Sequence, residues 1–269
     1  MKTEFLIDEI RRKSSFLCVG LDVDLNKIPV HLLKEQDPIF SFNKAIIDAI
    51  HEYVVSFKLN IAFYEAYGIE GWKSLEKTIQ YINKVYPEIF TIADAKRGDI
   101  GNTSTRYAEA FFRKLNFDSI TVAPYMGKDS IEPFLKFKDK HTILLAYTSN
   151  KGASDFQNLE IEGKPLYLKV IETSKTWNNN ENLMYVVGAT QAKSLLAIRE
   201  QLPNSFLLVP GVGAQGGDLH EVCENALTDN IGLLINSSRG IIYASQKKDF
   251  AEAALKEAQK MQEEMKLYI

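Results

Sequence analysis

Cysteine is scarce in this chain: Cys18 and Cys223 are the only two among 269 residues. So sparse a pair builds no disulfide framework, and no C-x-x-C pair exists. A reducing cytoplasm is the expected setting. Long apolar runs are also lacking. None approaches the ~18 residues a membrane helix needs. The longest uncharged stretch, 201–217, holds Pro203, Pro210 and several glycines, and reads as turn-rich. Residues 1–12 mix Glu4, Asp8 and Glu9 into apolar positions, which predicts a short amphipathic helix rather than a secretory leader. No charge sign dominates. Lys and Arg number 32, Asp and Glu 35, and the net charge is −3. No global field exists to hold nucleic acid or an anionic membrane, so neither is an expected partner. Four histidines (His31, His51, His141, His220) are scattered, with no pair at metal-ligand spacing, and no metal site is expected.

What remains is ordinary globular material, 45% hydrophobic and 25% charged. A chain of this length buries roughly 75% of its unfolded surface and needs no covalent staple. Eight short, β-branched apolar runs recur: 16–21, 54–59, 90–95, 119–123, 142–147, 184–188, 206–209 and 232–235. Each is a candidate buried strand. Helical spacing follows each one, over 42–51, 72–85, 103–115, 130–137, 165–177, 192–201, 218–227 and 248–266. Strict alternation implies a parallel sheet with helical crossovers. Eight units in about 250 residues match a single-domain (β/α)8 barrel over 1–269, with the short N-terminal helix ahead of it. An open doubly wound sheet is the alternative, and periodicity alone does not separate the two. One connection, 149–164, is long and polar, as a lid or as a tolerated surface insertion would be.

Polar residues collect where these runs end. Asp22 follows the first, Lys58 and Asn60 end the second, and Asp94 and Lys96 end the third. Thr148 and Ser149 follow the fifth, and Ser237, Ser238 and Arg239 the eighth. Barrel active sites are assembled on this face. Asp94 and Lys96, two apart on a strand, are expected to share a face. With Lys58 and Asp99 they form an alternating Lys–Asp–Lys–Asp set. A lysine buried among carboxylates keeps its proton. Such a group donates protons, whereas a Schiff-base lysine needs apolar or cationic surroundings. A salt-bridge ring at the barrel mouth is the plainer alternative. Thr103 opens the third helical segment and would serve as its N-cap.

Two further clusters follow the last two runs. Residues 210–217 read PGVGAQGG, and 237–240 read SSRG. Glycines such as Gly211, Gly213 and Gly240 let backbone N–H groups approach an anion, and Arg239 offers a forked donor for phosphate oxygens. Barrel enzymes commonly bind phosphate with the loops after strands seven and eight. Gly211-x-Gly213 is not a dinucleotide fingerprint, because its third glycine is misplaced and it lies late in the chain.

The stretch 94–103, DAKRGDIGNT, resembles the Asp-x-Lys-x-x-Asp-Ile-x-x-Thr motif of the orotidine 5′-phosphate decarboxylase family. Its Arg97-Gly98 pair is similar to the family's second, longer-chain subgroup. Asp22, Lys58, Gln215 and Arg239 also fall where that family places site residues. The resemblance spans the chain and implies the stand-alone enzyme. It implies a cofactor-free decarboxylation of orotidine 5′-monophosphate at C6 to uridine 5′-monophosphate, the last step of de novo UMP synthesis. Lys96 would donate the proton to C6, and Asp94 would lie near the substrate carboxylate. Lys58 and Asp22 would contact the ribose. Gly211, Gly213, Gln215, Arg239 and Gly240 would hold the phosphate. Asn60, and Thr148 or Ser149 on the pyrimidine, would complete the contacts. Asp99 and Thr103 would come from the partner subunit of an isologous homodimer. Two alternatives stay open. One is a metal-dependent sugar-phosphate decarboxylase or synthase on the same barrel, with Asp22, Asp94 and Asp99 as ligands. The other is a non-catalytic nucleotide-binding barrel.

Overall fold

The computed structural model describes the backbone of residues 1–212 and 217–269, and the side chains of all of these except 191–193. Eight strands form the barrel: β1 (Leu17–Gly20), β2 (Ser56–Asn60), β3 (Phe90–Arg97), β4 (Ser119–Val122), β5 (His141–Tyr147), β8 (Leu183–Val187), β9 (Leu207–Pro210) and β10 (Leu233–Ser237). A separate hairpin joins β6 (Glu160–Ile161) to β7 (Lys164–Pro165). The barrel closes in the order β1-β10-β9-β8-β5-β4-β3-β2, which decides for the (β/α)8 barrel against the open sheet. Pairing is parallel in β1–β2, β2–β3, β4–β5, β5–β8 and β8–β9. Strands packed on both faces are largely apolar, and Leu17–Val19, Ile143–Leu144 and Leu233–Ile235 are all buried.

The chain divides into two compact units. The first comprises Met1–Ala95, Leu115–Asp118 and Asn236–Ile269. Its helix Pro38–Ile50 is started by Asp37, whose carboxylate accepts the Phe40 N–H at 3.0 Å, with Pro38 at the first helical position. Phe42 on that helix stacks on Phe250 of the C-terminal helix Phe250–Met265, centroids 5.3 Å apart. Lys13 is buried, and its ammonium donates to His51 O at 2.7 Å and Val54 O at 2.9 Å. Those bonds give the cation a structural task.

The second unit comprises Lys96–Lys114 and Ser119–Ile235. Its buried cation is Arg199, which donates to the carbonyls of Leu202, Ser205, Ala226 and Gly232 at 2.7–2.9 Å. Helix Leu219–Ala226 is capped by Asp218, which accepts the Glu221 N–H at 3.1 Å. Two expectations change here. The helix expected over 103–115 runs as α over Gly101–Ala108 and then widens to π over Glu109–Lys114, burying Phe111 and Phe112. The long connection after β5 is not plain loop. It holds a short helix, Ala153–Phe156, and the β6–β7 hairpin. The two turn residues, Glu162 and Gly163, have φ of 54° and 77°. Positive φ at both is the two-residue turn that matches strand twist.

Candidate active site

The site begins with the side chains that β1, β2 and β3 carry at their C-terminal ends. Lys58 stands in register with Gly20 on β1 and Ile92 on β3, and Asn60 is in register with Asp94. The Lys58 ammonium donates to Asp94 Oδ2 at 3.0 Å and lies 3.6 Å from Asp22 Oδ1. Lys58 is 5% exposed. Burial alone would pull its pKa down, but the two carboxylates outweigh that, and the ammonium stays charged well above the usual lysine range. The Asp22 loop is anchored from two sides. Tyr243 donates to Asp22 O at 2.8 Å and accepts the Asp24 N–H at 2.7 Å, while Tyr64 donates to Leu21 O at 2.9 Å. Asp22 Oδ1 is buried and takes no hydrogen bond from a described residue. An ionised oxygen so placed accepts readily from a hydroxyl donor.

Further along β3 the geometry departs from expectation. Lys96 has φ +49°, in the left-handed region. A non-glycine residue held there costs of order 1–3 kcal/mol, and such residues cluster at functional sites. The strand nonetheless continues to Arg97. Asp94 is buried, and Lys96, expected to be buried as well, presents an exposed side chain. The Lys96 N–H donates to Thr121 Oγ1 at 2.9 Å. Arg97 lays its guanidinium over the rings of Tyr107 and Phe111, 5.3 and 5.7 Å from their centroids. Ser104 brackets Asp99, donating to its carbonyl at 2.8 Å and accepting its N–H at 3.2 Å. Thr103 does not cap the helix. The helix starts at Gly101 after Ile100, which places Thr103 inside the first turn.

After β5, the Thr148 hydroxyl donates to Asn150 Oδ1 at 2.6 Å. Gln157, from the long connection, clasps the same residue. Its Oε1 accepts the Thr148 N–H at 2.8 Å, and its Nε2 donates to Thr148 Oγ1 at 2.9 Å. Ser149 follows, half-buried. After β9, Gly211 has φ +101°, where only glycine is comfortable, and its carbonyl accepts the Gly217 N–H at 3.2 Å. Gly213 and Gln215 lie outside the described residues. After β10, Arg239 and Gly240 are exposed and open the short helix Arg239–Ile242.

The structure therefore brings Lys58, Asp22 and Asp94 into one ion-pair cluster in the first unit, with Asn60 in register beside Asp94. In the second unit it places Asp99 and Thr103 together after β3, and Thr148 and Ser149 after β5. Sequence reasoning missed Thr121, Ser104, Gln157, Tyr64 and Tyr243. Each is a common hydroxyl or amide residue inside or beside a regular element, with no spacing to mark it. Among the described residues, no three His, Cys, Asp or Glu side chains are grouped as a metal would require.

Fold and site together define a (β/α)8 barrel enzyme with a charged mouth. The comparisons are more specific. Residues 15–254 match the orotidine 5′-phosphate decarboxylase / HUMPS family, and the chain belongs to that family. It is 66% identical over 265 residues to the orotidine 5′-phosphate decarboxylase of Flavobacterium johnsoniae, covering 98% of this chain and 97% of that one. It is 57% identical over 266 residues to the protein of that name from Phocaeicola vulgatus, covering 98% of each. Among solved structures, the OMP decarboxylase of Leishmania donovani superposes with a TM-score of 0.81 at 37% identity, covering 97% of this chain and 99% of that one.

Proposed function

We propose that this chain removes CO2 from C6 of orotidine 5′-monophosphate to give uridine 5′-monophosphate, the final step of UMP synthesis. The observation that carries the reading is the buried Lys58 ammonium between Asp22 and Asp94, on the strands leading to the left-handed Lys96. Loss of CO2 leaves a carbanion in the ring plane, which the ring π-system does not delocalise. Enzymes lower barriers by roughly 8–23 kcal/mol, and this reaction demands the upper end. A fixed ammonium beside C6 stabilises that charge as it develops. Lys96 is assigned this position, and it then passes its proton to C6. Asp94 faces the substrate carboxylate and is held by Lys58. Asp22, with its buried oxygen open to a donor, accepts from a ribose hydroxyl, and Asn60 stands in register beside Asp94. Thr148, held by Gln157, or Ser149 reads the pyrimidine edge. Gly211, Gly213, Gln215, Arg239 and Gly240 grip the phosphate, whose binding energy organises the distant charged groups.

The whole chain acts as one barrel domain in the cytoplasm, and two copies form a homodimer. Exposed apolar side chains support the dimer. Ile100, beside Asp99, is 59% exposed; Tyr125 and Met126, after β4, are 90% and 49% exposed. Burying this group against a second copy would carry Asp99 and Thr103 toward the partner's site.

The reaction is expected to need no metal, because the Lys58 ammonium already pairs with Asp22 and Asp94, which a metal-dependent alternative would use as ligands. Purified protein mixed with orotidine 5′-monophosphate and EDTA should consume the orotate absorbance. Activity that is lost in EDTA and restored by a divalent cation would indicate the metal-dependent alternative. Tight product binding without turnover would indicate a nucleotide-binding barrel.

A further inference from the structure

The conformation of Lys96 raises a question the reaction scheme does not answer. Lysine has no intrinsic preference for φ +49°, so something outside the residue must hold it there. The residues around it name the restraint. Thr121 is fully buried in β4, where its Cα is in register with Ile143 of β5. Its Oγ1 accepts the Lys96 N–H at 2.9 Å. The next contacts along the chain follow the same strand. The Ala123 N–H donates to Arg97 O at 2.9 Å, and a Cβ on Gly98 would stand 2.9 Å from Ala123 O. The segment from Lys96 to Gly98 is thus laid tightly along the end of β4. At Lys96 a side chain, that of Thr121, provides the acceptor.

The consequence is geometric. Lysine has a long, flexible stem, and Lys96 is exposed. The Cα–Cβ vector sets where that stem starts, and the vector depends on φ. Releasing the Lys96 N–H allows φ to relax toward the strand region and swings the whole side chain.

We propose that Thr121 is a positioning residue for the reaction: its buried hydroxyl locks Lys96 in the left-handed conformation that aims the ammonium at C6. This rests on the reading of Lys96 as the proton donor.

The test uses Thr121→Val, which keeps the branched shape and removes the acceptor, and Thr121→Ser, which keeps the acceptor. Displacing a reacting group by about an ångström costs on the order of 100-fold in rate. Thr121→Val should therefore lower kcat by about 10- to 100-fold while KM and the dissociation constant for uridine 5′-monophosphate stay within about threefold. Thr121→Ser should recover kcat to within about threefold of wild type. If Thr121→Val does not fold, Thr121→Ala removes the same acceptor with less crowding and is read in the same way. A folded Thr121→Val enzyme with wild-type kcat would overturn the proposal. So would a loss of kcat matched by an equal loss of product affinity and not recovered by serine, which would indicate general damage to the barrel. Lys96→Ala is assayed alongside. If it stays active, the proton-donor reading fails and takes this proposal with it. If it is inactive while Thr121→Val is unaffected, the positioning role alone fails.

Discussion

A charge near the reacting carbon and a charge near the phosphate act in different ways, and single substitutions separate them. Lys58 is buried between two carboxylates, and truncating it removes the ion pair each makes with it, so its loss mixes stability with catalysis. Arg239 allows a cleaner experiment. It is exposed at the start of a short helix after β10, away from that cluster in sequence. A charge-assisted contact to a phosphate contributes roughly 1.5–3 kcal/mol. Arg239→Ala should therefore lower kcat/KM for orotidine 5′-monophosphate by at least about tenfold. The slow reaction of orotidine, which has no phosphate, should barely change. Equal losses for the two substrates would remove Arg239 from the phosphate site.

At the scale of elements, the strands and most helices were legible because burial on both faces leaves unbroken β-branched runs, as in Ile143–Leu144 and Leu233–Ile235. Asp22, Lys58 and Asp94 were legible for the opposite reason, since charged residues at the ends of apolar strands stand out. The turn at Lys96 was not, because nothing in a lysine announces φ > 0. The β6–β7 hairpin escaped notice because its turn is Glu162-Gly163 rather than the familiar Asn-Gly or Asp-Gly. Strand β1 carries a testable electrostatic feature. Cys18 is fully buried there, and burial pushes its thiol up from 9.0 to about 12. The folded thiol stays neutral where the unfolded one ionises. The stability this gives is complete below pH 9 and is lost between pH 9 and about 12. In urea unfolding at pH 8 and pH 10, Cys18→Ala should lose about 1 kcal/mol less than wild type over that interval. An identical drop in the two proteins would mean that Cys18 is not protected from ionisation.

At the scale of the whole molecule, the proposed homodimer would be a pair of barrels that complete each other's sites. Lys96→Ala and Asp99→Ala should each abolish turnover as homodimers. After the two are unfolded and refolded together, heterodimers form in which one site carries both lesions and the other neither. Activity should then return to about a quarter of the wild-type level if the subunits pair at random, since half of the dimers would each hold one intact site. If heterodimers form and no activity returns, Asp99 serves its own subunit.

The central claim is that Lys96 stabilises the carbanion and protonates C6, and the most direct measurement is turnover of orotidine 5′-monophosphate by Lys96→Ala. The variant should keep the wild-type circular dichroism and its affinity for uridine 5′-monophosphate within about tenfold, while kcat falls by many powers of ten. A folded Lys96→Ala protein that retains a tenth of wild-type turnover would contradict the account.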